Sequence, residues 1–315
     1  MYGGSAGMMN YLKLILPAIF VVFIFALQTI SMKLIADSGS TKTTWALLDK
    51  GKIISVFNTS GFNPYYFGSN DISLMLQNEF AESLPFGLIN ELVYYGSGCS
   101  TEVNCMTVSD ALQVFFHNAQ ITIHHDMLGA AHALLGHSAG IACILGTGSN
   151  SCLYDGHRIL SQVPSLGYLL GDEGSGYHIG RKLLAAMLNG TAPADISNSF
   201  AEQYKLNLSA VLHRIYKEEK PGPFIASFAE FAAQHVGHPW CNALVTSCFD
   251  DFIKLMLRHY DNTDKLPFSF TGSVAYHFRE LLTGLLHSKG LSTGRILPSP
   301  MEGLIGYHTS LESCS

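Results

Sequence analysis

Two short segments combine glycines and hydroxyl side chains in a pattern that can hold a phosphate group. Residues 37–43 (DSGSTKT) and residues 145–151 (LGTGSNS) each follow one strand-like run and precede another. Small residues let backbone N–H groups and hydroxyls approach an anion closely. The spacing differs from that of a Walker A loop, which also opens a helix rather than a strand. Both segments are therefore candidate phosphate-binding turns, although each alone is also compatible with an ordinary polar hairpin turn.

Asp37 and Lys42 are the charged residues of the first turn. A carboxylate at the end of a strand, beside a phosphate group, is well placed to hold Mg²⁺, usually through water. The sequence therefore predicts Asp37 as a magnesium-binding residue. Lys42 is a candidate for screening phosphate charge, although a lysine in a hairpin is often only solvated.

Strands and helices must position these turns. From Met32 onward, strand-like apolar runs alternate with segments of helical period, and this alternation indicates an α/β fold. Two similar sets of three strands are predicted, at 34–36, 44–48 and 53–57 and again at 141–145, 149–154 and 158–160. Asp49, Lys50 and Gly51 form the expected turn inside the first set. The two openings predict an internal duplication, although a repeat this short also arises by chance.

Between and after these strands the pattern is mainly helical. We expect a helix from Asp71 to about residue 83, an amphipathic segment at 108–118, a short strand at 121–123 and a helix at 127–135. Helices then continue from 175 to about 289, with a final strand at 268–271 that leads into a helix at Gly272 and Ser273. The crossing between domains is predicted at 123–126.

Composition narrows the class of protein. The 315 residues are 48% apolar and 13% charged, which excludes intrinsic disorder. The net charge of −6, with no run of basic residues, gives no footprint for a nucleic-acid partner. Seven cysteines without a CxxC pair fit neither a disulfide framework nor a zinc site. The cysteine pattern therefore predicts a reducing, cytoplasmic setting. The absence of a basic run favours a small-molecule partner.

Residues 14–30 form an almost unbroken apolar stretch that contains Pro17. It is short for a membrane span, which needs about 20 residues. Two interpretations remain open for this hydrophobic extension, residues 1–31. It is either a signal anchor that attaches the protein to a membrane, or an upstream artefact of a chain that starts at Met32.

Four segments in order resemble the motifs of the actin, sugar kinase and Hsp70 superfamily. They are DSGSTKT (37–43), LGTGSNS (145–151), GYLLGDEGSG (167–176) and FTGSVA (270–275). The nearest resemblance is to the N-acetylglucosamine kinase branch, which is grouped with the BadF/BadG/BcrA/BcrD ATPases. It implies two RNase H-like (actin-like ATPase) α/β domains, 32–124 and 125–299, that flank an interdomain cleft for ATP and sugar. It also implies a C-terminal helix, about 300–315, that packs back on the first domain.

The resemblance also implies roles for individual residues. Asp126 would be the catalytic base that accepts the proton of a sugar hydroxyl, and a carboxylate at a helix start is also a common cap. Asn63 would bind the sugar, although an Asn before a proline is more often simply a turn residue, and both roles stay open here. The other sugar-binding candidates are Ser149, Asn150, Gly171 and Asp172. The ATP and phosphate candidates are Ser38, Gly39, Ser40, Thr41, Lys42, Gly146, Thr147, Gly148, Gly272 and Ser273.

The function that the resemblance implies is an ATP- and Mg²⁺-dependent kinase for the 6-hydroxyl of an amino sugar, most readily N-acetylglucosamine or glucosamine. N-acetylmuramic acid stays open as a substrate, as does a homodimer. One alternative is an ATPase activator of a partner enzyme, as in the dehydratase activators, although no iron–sulfur cluster motif is recognisable around Cys99. Another is a non-enzymatic module that binds sugar or ATP.

Overall fold

A computed structural model describes residues 32–39, 41–81, 84–218, 221–261 and 263–312. The predicted apolar extension and Ser40 lie outside these residues. Among the described helices, none combines the length and the apolarity that a membrane crossing requires. The chain divides into two compact units, with the division after Ile123. The sequence analysis places this boundary one residue later.

The first unit contains a five-stranded sheet whose strands run in the order β3-β2-β1-β4-β5. The strands are β1 (Met32–Ser38), β2 (Lys42–Asp49), β3 (Lys52–Ser60), β4 (Ile89–Gly96) and β5 (Gln120–His125). β1, β2 and β3 are joined as antiparallel hairpins, and β4 lies parallel to β1. Lys50 and Gly51 have φ angles of 47° and 74°, so the predicted β2–β3 turn is confirmed.

Two helices, α1 (Ser69–Glu79) and α2 (Glu102–Gln113), accompany this sheet, and its core includes the fully buried Trp45. The indole Nε1 of Trp45 donates to the Thr59 hydroxyl at 2.9 Å. α1 begins earlier than predicted, because Gly68 is its N-cap and Asp71 accepts the Gly68 N–H at 3.1 Å. α2 also begins earlier, since Thr101 caps it.

The second unit repeats the same sheet, in the order β8-β7-β6-β9-β10. Its strands are β6 (Gly140–Leu145), β7 (Ser149–Tyr154), β8 (Ile159–Gln162), β9 (Phe268–Thr271) and β10 (Thr293–Leu297). β6 pairs antiparallel with β7 and parallel with β9, as β1 does with β2 and β4. The predicted duplication therefore exists as a shared topology. The prediction that β9 is the final strand is wrong, since β10 follows it. β10 escapes prediction because it is short and has only two adjacent apolar residues, Ile296 and Leu297.

Helices cover both faces of the second sheet, since alternate residues of β6 belong to different cores. The helices are α3 (Asp126–Leu135), α4 (Gly167–Leu170), α5 (Gly176–Leu188), α6 (Ala194–Tyr204), α7 (Leu208–Tyr216), α8 (Pro221–Ser227), α9 (Ala229–Gln234), α10 (Pro239–His259), α11 (Ser273–His277), α12 (Arg279–Ser288) and α13 (Met301–Glu312). Ala142 packs with α3, whereas Ile141 and Cys143 pack in the core that α10 and α12 fill.

The C-terminal helix α13 is the helix that the resemblance predicts to pack on the first domain. The contacts that the structure shows for it are with α3, in the second unit, where the rings of His132 and Tyr307 stack at 4.0 Å. α3 itself packs on β6 and β7. α13 therefore forms a second layer over this face of the second sheet.

Candidate active site

The turn between β6 and β7 contains Gly146, Thr147 and Gly148, and it is tied to the start of α5. The Gly146 N–H donates to the Gly148 carbonyl at 3.0 Å, which closes the turn. The N–H groups of Gly176 and Tyr177 donate to the carbonyls of Gly146 and Thr147 at 2.8 and 3.1 Å. The predicted second phosphate turn is thus held in one position by the first residues of α5.

The turn between β9 and α11 contacts the same end of β6. Gly272 has a φ of 116°, and a Cβ there would lie 2.3 Å from the Leu145 carbonyl oxygen. Only glycine allows both this backbone conformation and this close approach. Gly272 N–H also donates to the Leu297 carbonyl at 3.1 Å. Gly272 and Ser273 therefore lie beside the second phosphate turn, at the carboxyl ends of two parallel strands.

Asp172 joins the acidic loop, residues 171–175, to the same turn. Its Oδ1 accepts the Ser149 N–H at 3.0 Å, and a Cβ on Gly148 would lie 2.9 Å from its Oδ2. Burial raises the pKa of Asp172, the hydrogen bond from Ser149 opposes that shift, and the neighbouring Glu173 adds to it. Asp172 has a φ of 59°, which is unusual outside glycine. The carboxylate is held against the turn at the cost of a strained backbone.

A cavity of about 190 Å³ opens next to Asp172, entirely within the second unit. All four sugar-binding candidates of this unit line it: Ser149, Asn150, Gly171 and Asp172. The side-chain Oδ1 of Asn150 accepts the Ser151 N–H at 2.8 Å and the Gln162 amide at 3.3 Å. These bonds fix the orientation of the Asn150 carboxamide, so its Nδ2 is the group that remains suited to bind a ligand oxygen.

The first phosphate turn, between β1 and β2, is built in the first unit by a different set of contacts. The buried Ser38 hydroxyl lies 2.7 Å from the Thr43 hydroxyl, and the Gly39 N–H donates to the Lys42 carbonyl at 3.0 Å. Gly61 packs on this turn so closely that a Cβ there would overlap the Gly39 carbonyl. Thr41 and Lys42 are exposed. The backbone at Gly39 and Lys42 is therefore held by contacts, while the side chains of Thr41 and Lys42 face solvent.

Asn63 lies close to this turn in the first unit and forms a turn of its own. Its Oδ1 accepts the Tyr65 N–H at 3.0 Å, and a Cβ on Gly98 would lie 2.3 Å from the same oxygen. The Ser97 N–H, one residue before Gly98, donates to the Ser38 carbonyl at 2.9 Å. The Asn63 side chain therefore stabilises a turn through its Oδ1. Its Nδ2 is the group that remains suited to bind a ligand.

Asp126 is the first residue of α3, and His125 is the N-cap. The Met127 N–H donates to His125 Nδ1 at 3.2 Å, and the same nitrogen lies 3.1 Å from Asp126 Oδ1. Burial raises the pKa of Asp126, whereas His125 and the Met127 N–H oppose the shift. Asp126 Oδ1 is buried, and its polar neighbours are His125 Nδ1 and the Met127 N–H. A buried carboxylate with a raised pKa, next to a histidine ring, is suited to accept a proton.

Within the described ranges, no group of three or more His, Cys, Asp or Glu side chains has an arrangement that could hold a metal ion. Asp37 is half-buried near the carboxyl end of β1, as the first residue of the 37–43 segment. Mg²⁺ in phosphate-transfer sites is commonly held by one or two carboxylates together with substrate phosphates. A single carboxylate at this position therefore fits a magnesium ion that arrives with a nucleotide.

The far wall of the cavity is formed by Phe252, Leu255 and His259 of α10, which are not among the site residues predicted from the sequence. These residues lie about eighty positions after the acidic loop. Their 3–4 residue spacing is the ordinary signature of a packed helix face. No local signal distinguishes them from core residues.

No protein-family model and no curated protein matches the sequence. Among solved structures, a candidate N-acetylglucosamine kinase from Porphyromonas gingivalis is 42% identical, with a TM-score of 0.83. The match covers 88% of this chain and 98% of that protein.

Two more distant structures share the fold alone. A candidate N-acetylglucosamine kinase from Chromobacterium violaceum is 16% identical with a TM-score of 0.66, over 89% of this chain and 99% of its own. The ethanolamine utilization protein EutJ from Carboxydothermus hydrogenoformans is 14% identical with a TM-score of 0.51, over 88% and 89%.

Proposed function

The chain belongs to the N-acetylglucosamine kinase-like family of the actin and sugar kinase superfamily, and from that premise we propose that it phosphorylates the 6-hydroxyl of N-acetylglucosamine. The coarser activity, that of a sugar kinase that uses ATP, follows from family membership. The observation that carries the finer proposal is the convergence, within the second unit, of three motifs at the carboxyl edge of β6 and β9. They are the Gly146–Gly148 turn, the Asp172 loop and the Gly272 turn.

These groups supply what phosphoryl transfer requires, which is positioning, charge neutralisation and one proton acceptor. The backbone of the two phosphate turns, with Ser38, Gly39, Ser40, Thr41 and Lys42 in one and Gly146, Thr147 and Gly148 in the other, binds the phosphates. Gly272 and Ser273 leave room for the nucleoside, since large side chains would block it. The sugar is held by Asn63, Ser149, Asn150, Gly171 and Asp172.

Asp126 is the catalytic base in this proposal. As the sugar hydroxyl attacks the γ-phosphorus of ATP, the bond from that phosphorus to the β–γ bridging oxygen breaks, ADP leaves, and the hydroxyl proton passes to the Asp126 carboxylate. A raised pKa makes this carboxylate a stronger base than an exposed aspartate, although it must still be ionised at the working pH. Asp37 would hold Mg²⁺, which neutralises phosphate charge when it is bound with ATP.

The test is ADP release from ATP over a panel of N-acetylglucosamine, glucosamine, N-acetylmuramic acid and glucose, with the product identified by ³¹P and ¹H NMR. We expect the highest kcat/KM with N-acetylglucosamine and a phosphate on carbon 6. A phosphate on another carbon, or a higher kcat/KM with any other sugar of the panel, would overturn the finer proposal. ADP release that does not depend on sugar would contradict the kinase assignment itself.

A further inference from the structure

The cavity beside Asp172 has two unlike walls. One wall is polar and consists of the sugar-binding candidates described above. The other is largely apolar and comes from Val163 and Leu166 of the segment after β8 and from Phe252 and Leu255 of α10. A ligand that matches both walls carries hydroxyl groups on one side and a short apolar substituent on the other.

Two residues of the apolar wall, Phe252 and Val163, are held by packing in the core. Phe252 is 2% exposed and Val163 is 7% exposed, so both side chains belong to the packed interior. A Cβ on Gly174 would lie 2.8 Å from the Cβ of Phe252, which shows that α10 packs directly on the acidic loop. Leu255 is half-buried, so part of its side chain faces the cavity rather than the core. Leu166, by contrast, is 59% exposed, so the preformed part of the wall is the one that Phe252, Val163 and Leu255 form.

His259 adds one polar group at the edge of this wall. Its Nδ1 lies 3.0 Å from the Leu255 carbonyl oxygen, which only accepts hydrogen bonds, so Nδ1 carries the proton. In the neutral ring Nε2 is then an acceptor. An acceptor beside an apolar surface suits an amide, whose N–H donates while its methyl group packs on carbon atoms.

We infer that Leu255, Phe252 and His259 of α10 form the subsite for the N-acyl substituent of the sugar and determine the preference for N-acylated substrates. The inference rests on the proposed function for the sugar itself. Asp172 supports it on the opposite wall, because the carboxylate has acceptor positions beyond the one that Ser149 occupies and so suits sugar hydroxyls. A plain hydroxyl in place of the acylamino group would leave the apolar wall facing water.

The experiment measures binding of N-acetylglucosamine and glucose by titration calorimetry, together with kcat/KM for both sugars, in the whole protein and in Leu255→Ala. Leu255 is the better variant because Phe252→Ala risks a loss of folding. We expect Leu255→Ala to weaken binding of N-acetylglucosamine by about 10-fold or more, and to change glucose binding by less than about twofold. Leu257→Ala, on the same helix but outside the cavity, is the matched control and is expected to change neither.

Equal losses for both sugars in Leu255→Ala, or the same selective loss in Leu257→Ala, would overturn the inference. So would a wild-type protein that binds neither sugar. Selective binding of N-acetylglucosamine without phosphoryl transfer would contradict the proposed function but would still support the acyl subsite. His259→Gln gives a second readout, since a loss for N-acetylglucosamine alone is expected there too.

Discussion

Asp126 and Asp172 are both carboxylates whose pKa burial raises, yet their hydrogen bonds differ. Asp172 Oδ1 accepts the Ser149 N–H, so its position is fixed and one lone pair is already used. Asp126 Oδ1 is buried and lies 3.1 Å from His125 Nδ1, so its neighbour is a titratable ring rather than a loop that holds it against a turn. This difference favours Asp172 as a ligand-holding group and Asp126 as the proton acceptor, since environment sets which carboxylate does which task.

A third buried titratable residue, His132, gives a prediction about stability and pH. Burial, together with smaller effects of the nearby His308, His124 and His137, lowers the pKa of His132 to about 3. The folded protein therefore resists protonation of His132, whereas the unfolded chain binds that proton below about pH 6.5. The free energy of unfolding should fall as the pH drops from about 6.5 to about 3, by up to about 1.4 kcal/mol per pH unit from this one group.

Thermal or denaturant unfolding across this pH range, in wild type and His132→Gln, measures the effect. His132→Gln should be less stable at pH 7 because it loses the stack on Tyr307, and its stability should depend less on pH. The exposed His157→Gln should parallel wild type. Parallel curves for wild type and His132→Gln would show that His132 does not carry this dependence.

At the scale of elements, the site depends on turns that only glycine can form. The β1–β2 turn is closed by contact with Gly61, and the β9–α11 turn touches β6 through Gly272. The sequence analysis predicted these turns because the glycines, small residues and flanking strands are local. Caps were less predictable, since Gly68 and His125 carry no strong capping signal and Asp71 and Asp126 looked like better caps.

Gly272→Ala should destabilise the second unit. Its φ of 116° is strained for any residue with a Cβ, and that Cβ would overlap the Leu145 carbonyl. We expect a loss of at least about 1–3 kcal/mol in the free energy of unfolding, measured with denaturant. Gly284→Ala on α12, where nothing lies within 4 Å of a new Cβ, is the control and should be neutral or stabilising. A Gly272→Ala protein as stable as wild type would refute this account of the turn.

At the scale of the whole molecule, two units with the same strand order account for why the phosphate turns recur at equivalent places, after β1 and after β6. The duplication and the α/β class could be predicted, because strands and turns are encoded by residues that are neighbours in the sequence. β10 and the α10 wall of the cavity could not. β10 has only two adjacent apolar residues, and the cavity residues of α10 meet the acidic loop only after the chain has passed through five further helices.

The central claim is that this chain moves a phosphoryl group to a sugar with Asp126 as the base. The most direct measurement is kcat for ADP release with saturating ATP and N-acetylglucosamine, in Asp126→Asn and in Asp110→Asn, an exposed aspartate of α2. Asp126→Asn should lower kcat by about 100-fold or more, with the folded structure retained, because the proton acceptor is gone. Asp110→Asn should match wild type. An Asp126→Asn protein that turns over at the wild-type rate would contradict the account.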